Sequence, residues 1–122
     1  MRDALICAEA GISGIVLSNH QNMFPWTIPP VKVLPEIRRA VGDKLTVLVD
    51  SGLVSGYDCF KALAWGADGV FTVRQMLPLF HEKGSEAVAD RLRIMTDELR
   101  ACLSRTGSPD IYHIDPAVIR EL

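Results

Sequence analysis

Short apolar runs and longer stretches of three- and four-residue apolar periodicity alternate along this chain. Residues 3–10, DALICAEA, predict a helix, with Asp3 placed to cap it and Gly11 to end it. Residues 14–18 read as a strand, with Ile15, Val16 and Leu17 in succession. A loop rich in proline and aromatic residues follows over 19–30. The next helix spans about residues 31–41. Pro35 cannot donate inside it, so the regular part is expected to start near Leu34, and Gly42 and Asp43 stop it. LTVLVD, residues 45–50, lacks polar alternation, which is the pattern of a strand covered on both faces in a parallel sheet. SGLVSG, residues 51–56, is a tight loop before a helix at about 57–65 that Gly66 closes. GVFTV, residues 69–73, is a third strand. A Pro-interrupted connection leads to a long helix at about 85–103, where Val88, Leu92, Met95, Leu99 and Cys102 form one apolar stripe. Ser108 and Pro109 end it, and Asp115 followed by Pro116 predicts a last helical turn.

Helices and strands in alternation, joined mostly by short loops, predict parallel strands with right-handed crossovers. AEAGISGIVLS and LAWGADGVFTV repeat one junction: helix, glycine, turn, strand. Two copies of one junction point to the repeating unit of a barrel more than to an open sheet. A closed barrel needs eight strands and roughly 250 residues. The fold class expected is therefore α/β, a partial (β/α) TIM-type barrel of about three parallel strands alternating with helices. Residues 1–122 would form one domain of that kind.

Composition narrows the function classes. Hydrophobic residues at 48% and charged residues at 23% suit a folded core. A net charge of −2 leaves no basic excess for a nucleic-acid surface. No apolar run approaches the roughly 18 residues of a membrane span. The opening MRDALICAEAG holds acidic residues and no cleavage site, so no signal peptide is expected. Cys7, Cys59 and Cys102 form no CxxC pair and are expected as buried free thiols in a cytoplasmic protein, with no metal site.

Ligands of parallel α/β folds bind beyond the C-terminal ends of the strands. Three ends therefore matter: Ser18, Asn19 and His20; Asp50, Ser51 and Gly52; Val73, Arg74 and Gln75. A histidine, a carboxylate and an arginine on one face supply a proton acceptor, an acid and an anion clamp. Plainer roles stand beside these. His20 is equally read as an inert, hydrogen-bonded histidine, Arg74 as a surface salt-bridge residue and Asp50 as a cap on the loop opening the next helix. Met23, Phe24 and Trp26 read as an apolar plug or a loop anchor. Trp65 is expected to pack at a helix end, and His81 and His113 to be solvated in polar loops.

SNH at the first strand end, VDSG and SGYD after the second, and GADGVFTVRQ at the third resemble the FMN-dependent α-hydroxy-acid oxidases and dehydrogenases. Their pattern reads S-N-H-G-G-R-Q-x-D, then D-G-G-x-R-x-G-x-D, then G-A-x-x-V-x-x-G-R-P. The resemblance covers nearly the whole chain and only the C-terminal part of that barrel. It implies FMN as cofactor and a small 2-hydroxy acid as substrate. It implies His20 as the base, Asp50, Ser51 and Gly52 as the loop along the ribityl chain and phosphate, and Arg74 on the phosphate. Gly56 and Asp58 match the glycine and acid at the next helix start.

The departures are specific. The arginine that binds substrate carboxylate falls on Met23, and the acid that orients the histidine falls on Trp26. Gln21 and Asn22 stand where small residues follow the histidine, Val54 where a second phosphate arginine belongs, and Ser51 and Val73 at glycines. The flavin-contacting lysine would lie before residue 1. A bidentate carboxylate partner disappears when Arg becomes Met, and a histidine base without its orienting acid loses tautomer control. The expectation is a divergent or truncated FMN-dependent 2-hydroxy-acid oxidoreductase with a weakened site. The alternative is a non-catalytic scaffold or anion-binding domain. In either case a second copy or a partner chain is expected to complete the barrel.

Overall fold

The computed structural model describes residues 1–20, 23 and 26–120. Its elements are α1 (Arg2–Glu9), β1 (Gly14–Leu17), α2 (Pro30–Val41), β2 (Thr46–Val49), α3 (Gly56–Ala64), β3 (Gly69–Val70) and α4 (Met76–Thr106), with 3-10 turns at Gly42–Lys44 and Pro116–Val118. All strand pairs are parallel, in the order β1-β2-β3. Val16 is in register with Leu48, and Leu48 with Gly69. The fold class expected from the sequence is the one observed, and the sequence order of the strands is their order in the sheet.

Period-two geometry decides which strand residues form the core. Val47 and Val49 point to the helices and are fully buried with Leu34, Ile37 and Val41 of α2 and Ala4 of α1. The other face carries Gly14, Val16, Thr46 and Leu48; Val16 is 49% exposed and Thr46 is exposed. The two-sided cover read from LTVLVD is therefore one-sided within this chain: the helices lie on one face only.

Several boundaries differ from expectation. α1 begins at Arg2 with Met1 at its cap position, so Asp3 is a first-turn acid and not the cap. Its charge still suits the positive end of the helix. α2 begins at Pro30, not near Leu34, because Pro30 occupies the first helical position, where its missing N–H costs nothing. Pro35 then sits inside and withholds one N–H from the ladder. β3 is only two residues, although Phe71 N–H still donates to the Val49 carbonyl at 2.9 Å. After that the chain turns across the β2 loop, with Thr72 Oγ1 donating to the Leu53 carbonyl at 3.1 Å.

α4 starts at Met76, so the supposed connection is helical and His81 lies on a helix. Pro78 is tolerated in the first turn, and Gly84 (φ 78°, ψ −173°) kinks the helix between its two parts. Of the predicted stripe only Met95 is fully buried; Val88, Leu99 and Cys102 are half-buried and Leu92 is exposed. The reason is that α4 packs mainly on α3. Of the three free cysteines Cys59 is buried, while Cys7 and Cys102 are half-buried. Trp65 packs against the core at the end of α3, as expected.

At the N-terminal ends of the strands Arg38 joins three elements. Its guanidinium donates to the carbonyls of Gly66 (2.6 Å) and Gly42 (2.9 Å) and pairs with Asp68. The same Asp68 oxygen accepts the Val47 N–H at 2.7 Å. This cluster locks α2 to the sheet at the end away from the candidate site.

Candidate functional site

β1 ends at Leu17, and the chain then turns through Ser18, Asn19 and His20. β2 ends at Val49, and Asp50, Ser51 and Gly52 follow. Asp50 N–H still donates to the Leu17 carbonyl at 3.1 Å, which brings the two strand ends side by side. The loops are then joined by polar side chains. Asn19 N–H donates to Ser51 Oγ at 3.3 Å, and Ser51 Oγ donates to Asp50 Oδ1 at 2.6 Å. Asn19 Nδ2 donates to Thr27 Oγ1 at 3.4 Å. Asn19 and Ser51 are the two buried polar residues of the chain among those described, 8% and 9% exposed. Buried polar groups need such partners, because desolvation without them costs about 1–3 kcal/mol each.

The backbone here is strained. His20 (φ 51°) and Ser51 (φ 68°) are non-glycine residues in the left-handed region, and Gly52 (φ 85°) follows directly. His20 N–H is held by Ser18 Oγ at 3.1 Å, and its side chain is exposed.

Two adjoining clefts open at these ends. One, of about 390 Å³, is lined by Asn19, Ser51, Gly52, Val54, Arg74 and Gln75. The other, of about 150 Å³, is lined by His20, Asp50, Phe71 and Val73, with Ser51 and Arg74 again in its wall. The structure thus brings together His20, Asp50, Ser51, Gly52 and Arg74. Among the described residues no carboxylate pairs with Arg74, so the salt-bridge reading of Arg74 does not hold there. Asp50 bonds within the loop that opens α3, through Ser51 Oγ, while the helix itself is capped by Ser55: Ser55 Oγ accepts the Asp58 N–H at 3.2 Å, and the Asp58 carboxylate accepts the Ser55 hydroxyl at 2.7 Å. Gly56 and Asp58 do shape that helix start.

Met23 (63% exposed) and Trp26 (99% exposed) turn to solvent and line neither cleft, so they make no plug and no anchor. Gln21, Asn22 and Phe24 lie outside the described residues. Val54 and Val73 are half or more exposed, each on a cleft wall. A Cβ added to Gly52 would meet nothing within 4 Å, so its backbone faces open space beside Arg74. An unpaired guanidinium next to an open glycine backbone fits the phosphate end of FMN. A second cation is missing at Val54. Phe71 and Pro29 also line the clefts, without any chemical signal that marked them in the sequence. Gln75 was legible only as a strand-end residue; its Nε2 ties the β3 loop to the Leu53 carbonyl at 2.9 Å.

Comparison with known proteins agrees with this fold. An L-lactate dehydrogenase of Caulobacter sp. (strain K31) is 36% identical over 118 residues, 96% of this chain and 31% of that protein. The 2-hydroxyacid oxidase 1 of Homo sapiens is 35% identical over 120 residues, 98% of this chain and 32% of that protein. Among solved structures, a flavocytochrome b2 mutant with pyruvate bound superposes with a TM-score of 0.87 at 34% identity, covering 95% of this chain and 31% of that one. A mandelate oxidase mutant holding an FMN adduct gives a TM-score of 0.88 at 32% identity, covering 94% of this chain and 35% of that one. The chain spans about a third of the length of the relatives it matches. Residues 1–121 match the FMN-dependent dehydrogenases, and the chain belongs to that family.

Proposed function

We propose that this chain carries the phosphate-holding and proton-accepting edge of an FMN-dependent 2-hydroxy-acid oxidoreductase, residues 1–122 acting as one partial-barrel unit in the cytoplasm. The observation that carries the reading is the gathering of His20, Asp50, Ser51, Gly52 and Arg74 around two adjoining clefts at neighbouring parallel strand ends. The substrate class follows from relatives named for lactate and 2-hydroxy acids.

FMN, when bound, supplies a two-electron acceptor. Arg74 would hold phosphate oxygens through charge-assisted hydrogen bonds, and the open backbone at Gly52 would add an amide donor. The His20 imidazole accepts the substrate proton. Asp50 lines the same cleft, and its carboxylate accepts the Ser51 hydroxyl at 2.6 Å. Met23 and Trp26 supply neither a carboxylate clamp nor a histidine orienter, so turnover by this chain alone is slow or absent.

A second reading, a non-catalytic anion-binding scaffold, is favoured by the same two residues together with Val54 and Val73 on the cleft walls. Titrating the purified chain with FMN while following flavin fluorescence separates the outcomes. The expected result is weak binding, competed by inorganic phosphate and lost in Arg74→Ala. Submicromolar FMN affinity would overturn the weakened site, and the absence of any anion effect would reject the phosphate-holding role.

A further inference from the structure

Ser51 holds a backbone conformation that glycine adopts freely and serine does not, and the resemblance places a glycine there. The serine side chain has a specific task in return. Its hydroxyl is used in both senses: it donates to Asp50 Oδ1 at 2.6 Å and accepts the Asn19 N–H at 3.3 Å. An ionised carboxylate only accepts, so the Ser51 proton points at Asp50 while the Ser51 oxygen accepts the Asn19 N–H. Asn19 is buried and tied again through its own amide to Thr27. The next residue is His20, in the left-handed region with its N–H on Ser18 Oγ. Ser51 and Arg74 are also the residues that line both clefts.

We propose that Ser51 is a positioning residue: its hydroxyl clasps the loop after β1 to the loop after β2 and so holds His20 at the cleft it shares with Asp50 and Arg74. The proposal rests on the reading of His20 as the proton acceptor. Ser51 itself touches no reacting atom in this role. It acts through Asn19, and it stands between the anion clamp and the base.

The test is nuclear magnetic resonance on the full chain, comparing wild type with Ser51→Gly, which removes hydroxyl and strain together, and with Ser51→Ala. Ser51→Gly keeps the test decisive if the alanine variant does not fold. Asn19 amide exchange is expected to quicken about five- to tenfold, the worth of one ordinary hydrogen bond. The His20 backbone order parameter is expected to fall from a rigid value of about 0.85 towards 0.6. Added inorganic phosphate is expected to raise the midpoint of the wild-type His20 imidazole titration, because a bound anion favours the imidazolium. In Ser51→Gly, compared with wild type at phosphate saturation of each protein, that rise shrinks at least about twofold, since lost positioning weakens the coupling between anion and imidazole. Unchanged Asn19 protection and His20 order in Ser51→Gly would overturn the clasp, as would faster exchange with an undiminished His20 response. A wild type that ignores phosphate rejects the anion clamp alone, and exchange and order still decide Ser51.

Discussion

Two arginines of this chain show how surroundings set a residue's role. Arg38 has its guanidinium taken up by Gly66, Gly42 and Asp68, so it is structural. Arg74 is exposed, borders both clefts and pairs with no described carboxylate, so its guanidinium is not taken up by the fold. Cys59 shows the same principle in its titration. Burial pushes its thiol above the ordinary 9.0, and the nearby Asp58 and Glu98 charges add to the rise. A raised folded pKa means the stabilisation is fully present below the unfolded value and is lost as pH climbs through the higher folded one. The stability gap between wild type and Cys59→Ala is therefore expected to narrow between about pH 8 and about pH 10. Urea midpoints at both pH values check this, and a constant gap would show that Cys59 does not titrate differently in the two states.

At the scale of elements, the contact between α3 and α4 depends on one glycine. A Cβ on Gly56 would fall on the Met95 carbonyl oxygen and lie 2.6 Å from Glu98 Cβ and from Leu99 N. Gly56 N–H also donates to Glu98 Oε2 at 2.7 Å across the same crossing. Gly56→Ala is expected to cost about 1–3 kcal/mol or more, as overpacking does when backbone must move. Removal of the neighbouring cap by Ser55→Ala is expected to cost about 1 kcal/mol. Denaturant titration of both variants checks the order of the two effects. A Gly56→Ala protein as stable as wild type would mean that α4 shifts freely on α3.

At the scale of the molecule, the sheet is covered on one face and has two outer edges. Val16, at 49%, and Phe71, at 43%, remain exposed near that open face. Parallel sheets need cover on both faces, and bare edges offer unpaired backbone groups. Self-association or pairing with another chain is therefore expected. Light scattering that finds a folded monomer at micromolar concentration would count against it. Oxidation of glycolate or lactate by this chain alone is expected to be undetectable or very slow, given Met23 and Trp26. Dye reduction at the typical enzyme rate of ~10 per second, abolished in His20→Ala, would contradict that expectation.

The alternation of apolar runs with helical periodicity was enough to determine the parallel α/β order, because hydrophobic period is a local property of the chain. The strand ends followed from the same pattern, and with them His20, Asp50, Ser51, Gly52 and Arg74. Motif spacing carried the family likeness. Other features needed the folded chain, because they depend on partners distant in sequence. Ser51 and Asn19 meet across 32 positions, and Arg38 and Asp68 across 30. β3 stops after two residues because its chain turns to meet Leu53, and α4 starts nine residues early because Pro78 falls in a first turn. The one-sided cover of the sheet was hidden for a similar reason. A strand such as LTVLVD records how apolar its faces are, and only the packing of α1 and α2 decides which face this chain buries itself.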